Sequence, residues 1–126
     1  MNAFQKTLKS LADAFVTKFD QAGNKLVYST YLGGSGEAAA LGVTVDAHGS
    51  AYVTGAAGLD FPTKNAFQKE LKGPENAFVT KFDPAGNALV YSTYLDGNDF
   101  AWAYSKDHFA GLPTVVFDPC VVNLFR

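Results

Sequence analysis

The stretch from Asn2 to Gly34 is written a second time from Asn65 to Gly97, without a gap, at an offset of 63 residues (65 − 2). Phe15 maps onto Phe78, Gly23 onto Gly86 and Tyr31 onto Tyr94, and about three quarters of the aligned positions are identical. A fainter echo lies inside each unit. "DQAGNKLVYST" (Asp20 to Thr30) and "DAHGSAYVTG" (Asp46 to Gly55) share an Asp, a Gly three residues later, and an apolar stretch running into Ser or Thr. Each unit therefore reads as two hairpins.

The turn chemistry supports this reading. In "FDPAGNAL", Pro84 presets the second position of a type I turn, Asp83 accepts amide hydrogens of the turn, and Gly86 supplies the positive φ that closes a bulged hairpin. Asp20 with Gly23 and Asp46 with Gly49 repeat the arrangement. The flanks "AFVTKF", "LVYSTYL", "LGVTV" and "AYVTG" are short, rich in β-branched and aromatic residues, and bounded by Gly, Asp and Asn, as strands are. Both alternating faces of "LVYSTYL" carry apolar residues, which implies a sheet covered on both sides. The connector "DFPTKNAFQKELKGPEN" predicts a short helix: Asn65 caps, Phe67 and Leu71 lie one turn apart, and Gly73 with Pro74 ends it. Its earlier copy, "NAFQKTLKS", follows Met1 directly, so the chain opens inside a connector.

Composition narrows the function classes. With 126 residues, 48% apolar and 17% charged, the chain is globular and of single-domain size. A net charge of -2 with no cluster of Lys or Arg disfavours nucleic acid. No apolar run reaches the roughly 18 residues of a membrane helix, and no basic and apolar leader follows Met1, so neither a membrane span nor an export address is expected.

Together "GVTVDAHGSAYVTG", "DFPTKNAFQ" and "AFVTKFDPAGNALVYSTYLDG" resemble the SBBP-type bacterial β-propeller repeat, over roughly Asn2 to Asn98. The resemblance implies an all-β fold of antiparallel four-stranded blades, a partial propeller with the short helix in its connector. Leu41 to Leu95 would be one complete blade and Ala14 to Leu32 the second half of the blade before it. This divides the chain into 1–35, the end of a preceding blade; 36–98, a complete blade repeat; and 99–126, a divergent tail. In the tail the repeat is lost, and "VVFDP" (Val115 to Pro119) only faintly echoes "VTVDA". About one and a half blades do not close a propeller, which takes roughly 4 to 8. The chain is thus expected to be a fragment of a larger protein. By resemblance its setting is extracellular or at the bacterial cell surface, and its partners are other blades of the parent propeller or copies of itself.

Candidate chemistry is sparse, and no enzymatic role, cofactor or metal is expected. Cys120, His48, His108 and Asp107 are the only ingredients for a Cys/His nucleophile, and Cys120 sits in the apolar "PCVV", where no electropositive setting activates it. As the sole cysteine it forms no intrachain disulfide. The turn aspartates lack the alternating ligands and distal Glu of a calcium loop. "YLGGSGE" leads into no phosphate-cradling Lys and reads as a loop between blades. Tyr28, Tyr31, Tyr91, Tyr94 and Trp102 offer flat rings with polar tips, suited to packing between sheets and also to stacking on sugars. Two function classes follow. The first is a structural or protein-interaction module. The second is a glycan-binding module that closes a propeller by homo-oligomerisation, with Tyr31, Tyr94 and Trp102 lining the pockets between blades.

Overall fold

The structure, a computed structural model, describes residues 2–95 throughout and, beyond them, the backbone of strands at 103–109, 112–117 and 121–123. In chain order the strands are β1 (Ala14–Phe19), β2 (Leu26–Leu32), β3 (Ala38–Val45), β4 (Ala51–Ala57), β5 (Asn76–Phe82), β6 (Leu89–Leu95), β7 (Ala103–Phe109), β8 (Leu112–Phe117) and β9 (Val121–Asn123). They form three antiparallel sheets, ordered β1-β2, β3-β4-β5-β6 and β7-β8-β9, with β7 running near β3 and β4. The described chain is therefore all-β. The third sheet lies where the repeat pattern is lost and sequence periodicity gave no strand signal.

The duplicated residues adopt duplicated pairing. Phe15 faces Tyr31 and Thr17 faces Ser29 across β1-β2, as Phe78 faces Tyr94 and Thr80 faces Ser92 across β5-β6. The Thr and Ser hydroxyls bond across the strands at 2.9 Å in the first copy and 2.7 Å in the second. Three hairpin turns share one hydrogen bond, although the Asp46 turn closes on Ser50 four residues on and the other two close on Lys25 and Ala88 five residues on. The amides of Gly23, Gly49 and Gly86 donate to the carbonyls of Asp20, Asp46 and Asp83 at 3.0–3.1 Å. The carboxylate of each of these aspartates also accepts two further turn amides. The three glycines have φ of 75°, 88° and 74°, a region that costs other L-residues steric strain.

The expected connector helix does not form. Asn65 sits at a φ of 50°, which breaks a right-handed helix at its intended start. The following backbone lies along the outer edge of β6 instead. Lys64 and Ser92 exchange amide-to-carbonyl bonds of 3.0 and 2.9 Å, the Tyr94 amide donates to the Gln68 carbonyl at 3.1 Å, and the Gln68 amide donates to Thr93 Oγ1 at 2.9 Å. Backbone groups that a helix would have satisfied internally are satisfied by the sheet edge. Phe67, meant to share a helical face with the partly buried Leu71, points into solvent. The first copy repeats the arrangement through Gln5, whose carbonyl receives the Tyr31 amide and whose amide reaches Thr30 Oγ1.

The core forms where the first sheet stacks on the second. Ala14, Val16, Tyr28 and Leu32 from one face of β1-β2 cluster with Val53, Phe78, Phe82, Leu89 and Tyr94 from one face of the four-stranded sheet. Gly86 is required here for a second reason: a Cβ at that position would enter the Tyr28 ring. The face of the first copy that corresponds to Phe78 and Phe82 points outward. Phe15 is 67% exposed where Phe78 is 0%, and Phe19 is 55% exposed where Phe82 is 0%.

Identical local sequences therefore carry unequal energetic weight. Phe82→Ala should cost about 3–5 kcal/mol, as removal of a buried aromatic does, whereas Phe19→Ala should cost under about 1 kcal/mol, as surface substitutions do. Urea unfolding of the two variants checks this. Similar losses would mean that the two copies are equally covered.

Candidate functional site

The open face of the first sheet carries a concave surface. It is a cleft of about 470 Å³ whose lining includes Phe15, Thr17, Ser29 and Tyr31 from β1 and β2, with Gln5 from the connector. A second opening of about 320 Å³ lies between the edge of β1 at Phe15 to Thr17 and the exposed residues Leu41 to Val43 of β3. The two meet at Phe15 and Thr17.

The second copy shows the same site filled. Phe61 lies with its ring centroid 4.3 Å from that of Phe78 and 6.0 Å from that of Tyr94. The Tyr94 hydroxyl donates to the Gly58 carbonyl at 2.6 Å and accepts from the Phe61 amide at 3.0 Å. Burial foremost pushes the Tyr94 phenol up, the Phe61 amide offsets part of this, and Asp60 adds to the rise. Tyr94 is only 2% exposed and packs against Phe61, at the border of an opening of about 290 Å³ that Leu59, Asp60 and Leu71 also line. Tyr31, 37% exposed, keeps its ring at the cleft. The sequence alone did not mark Phe61 as the residue that separates these two fates. Its signal is the "LDFP" that precedes the second connector.

The remaining candidates separate as follows. Trp102 and Cys120 lie outside the described residues, and of Asp107 and His108 only the strand backbone of β7 is described. The His48 amide, not its ring, contributes to the Asp46 turn. Asp20, Gly23, Asp83 and Gly86 are occupied in their turns. No group of three His, Cys, Asp or Glu side chains that could hold a metal ion occurs among the described residues. Among them, too, no helix is long and apolar enough to cross a membrane.

Asp46 does more than shape its turn. Its buried carboxylate accepts from the Tyr52 hydroxyl at 2.9 Å and lies 3.8 Å from Lys81 Nζ, which itself sits 5.1 Å from the Tyr52 ring centroid. Desolvation is the largest influence and raises the Asp46 pKa, but the Tyr52 hydroxyl, the Ser50 and His48 amides and Lys81 together outweigh it, leaving the carboxyl below its ordinary range. Tyr91, packed beside Tyr52, is pushed up to about 12, first by burial and then by that neighbour. The cluster ties the turn after β3 to β4 and β5.

Comparison with protein-family models and with curated proteins finds no match to this chain.

The Asp46 carboxyl is depressed in the folded state, so its contribution is present above the ordinary Asp range, about pH 4. It is lost as pH falls through the lower folded value. Tyr91 is raised, so its contribution is present below about pH 10 and is lost as pH rises toward 12. Asp46→Asn should lower the urea midpoint at pH 7 and flatten the acid limb of the stability profile without changing the alkaline limb. An unchanged acid limb would remove Asp46 from the account.

Proposed function

We propose that this chain is a non-enzymatic structural and interaction module, a piece of a larger bacterial β-propeller protein of the SBBP repeat type, whose partners are further repeats. The observation that carries this reading is the way the two copies stack. One face of the first copy packs on the opposite face of the second, so the contact is head-to-tail and is not exhausted by two members. The face left over, with Phe15, Phe19, Leu26 and Tyr31 exposed, has the residues that are buried as Phe78, Phe82, Leu89 and Tyr94 when a neighbour is present. An apolar surface of this kind on a soluble protein marks an interaction site.

A second reading, glycan binding by a ring of copies, is favoured by the half-open Tyr31 ring beside the 470 Å³ cleft. It calls for a discrete oligomer in light scattering and for binding on a glycan array that Tyr31→Ala abolishes.

The leading reading is tested at the level of the gene. Translation of the flanking DNA in all frames should reveal further "GVTVDxxGNAYVTG" repeats, with an export signal upstream. Flanks without repeat-like sequence in any frame would overturn it and leave the ring of copies as the better account.

A further inference from the structure

The second copy is a complete sheet and the first is half of one, so the molecule displays both a site and the segment that fills its equivalent. In the second copy β4 occupies the inner edge of β5, pairing Tyr52 with Lys81, Val53 with Thr80, Thr54 with Val79, Gly55 with Phe78 and Ala56 with Ala77. Among the described residues the corresponding edge of β1 pairs with no strand, since β1 pairs only with β2. Beyond that edge lies the 320 Å³ opening, floored by Leu41 to Val43 and Val53. Leu41, Val43 and Val45 are exposed there, on the part of β3 that a wider first sheet would reach.

We propose that the free edge of β1, together with the open face at Phe15 and Tyr31, is an acceptor for an inner hairpin of the repeat type that is not paired with an outer hairpin of its own, and for the Phe-bearing loop that follows it. The required segment has the chemistry of residues 38–63. This rests on the reading of the chain as a repeat module and specifies what its open end binds.

Three features of the acceptor select that occupant. A strand edge offers backbone pairing to an extended segment. Lys18, the counterpart of Lys81, matches an incoming Asp and Tyr placed as Asp46 and Tyr52 are. The cleft between Phe15 and Tyr31 takes an aromatic ring as Phe78 and Tyr94 take Phe61, and the Tyr31 hydroxyl receives the amide of that residue. The hairpin of a second copy does not meet the requirement without unfolding, because its β4 is already paired on both edges.

The test uses the full chain and a fluorescent synthetic peptide of residues 38–63. Fluorescence anisotropy should show saturable binding of one peptide per chain, weakened at least tenfold by Phe61→Ala in the peptide or by Phe15→Glu in the chain. Tyr31→Phe, which removes a single hydroxyl, should weaken it severalfold. A fusion carrying residues 38–63 directly ahead of residue 1 reads the same contact without a free peptide. Its urea midpoint should rise, and Phe61→Ala in the added segment should cancel the rise. No saturation and no rise in the midpoint would overturn the proposal, as would binding indifferent to Phe15→Glu. A dimer that forms without peptide and blocks it would assign the edge to a second copy and overturn the proposed occupant. Repeats in the flanking DNA with no binding here would sink the acceptor site alone. Binding here with repeat-free flanks would sink the parent-propeller reading alone.

Discussion

The contact on which the structure depends is the seating of the Tyr28 face of the first sheet on the Phe78 and Phe82 face of the second. Each buried aromatic or aliphatic side chain in such a contact is worth about 1.5–3 kcal/mol, and neither a two-stranded ribbon nor a single sheet face has another means of removing that surface from water. The same contact fixes the exposure pattern. Because the copies meet through unlike faces, burying one copy's Phe face leaves the other copy's Phe face bare. Phe4 adds an edge contact to Phe82 with centroids 6.2 Å apart, which draws the first connector into the same interface.

The two kinds of sheet edge are treated differently. The outer edges of β2 and β6 are closed by the connectors. Gln5 and Gln68 each present a carbonyl to the strand and a side-chain amide to a carbonyl two residues on, and a carboxylate or amide at Asp13 or Asn76 holds the side chain at 2.9 or 3.0 Å. This is how natural sheets avoid adventitious pairing. Among the described residues the inner edge of β1 has no such closure. One buried group stands outside this order: Thr54 Oγ1 has no hydrogen-bond partner, so Thr54→Val would conserve its shape and remove an unsatisfied donor.

Local chemistry made the hairpins legible. Asp, Gly and Pro at fixed offsets, with β-branched and aromatic flanks, specify turns and strands without reference to the rest of the chain. The connector was misread because Asn65, Phe67, Leu71 and Gly73 satisfy helical rules locally, while the decisive partners, Ser92, Thr93 and Tyr94, lie about 25 residues away. The unequal fates of Tyr31 and Tyr94 were not legible at all. The residues around them are nearly identical, and only the presence of Phe61 and its preceding strands in one copy separates them. The Asp46, Tyr52 and Lys81 cluster was likewise hidden, since its members come from a turn and two strands. Strands β7 to β9 follow no repeat, so nothing in the pattern announced them.

The strands β1 and β5 carry the same sequence "AFVTKF", and the account rests on β1 having one neighbouring strand where β5 has two. Identical sequence means nearly identical intrinsic amide exchange, so site-resolved hydrogen exchange compares the two strands without correction for local chemistry. The account predicts that amides of residues 77–82 are protected along the whole strand, while those of residues 14–19 alternate, slow where they bond to β2 and fast where they face the open edge. Equal protection at every pair of positions 63 residues apart would show that the β1 edge is already covered and would contradict the account.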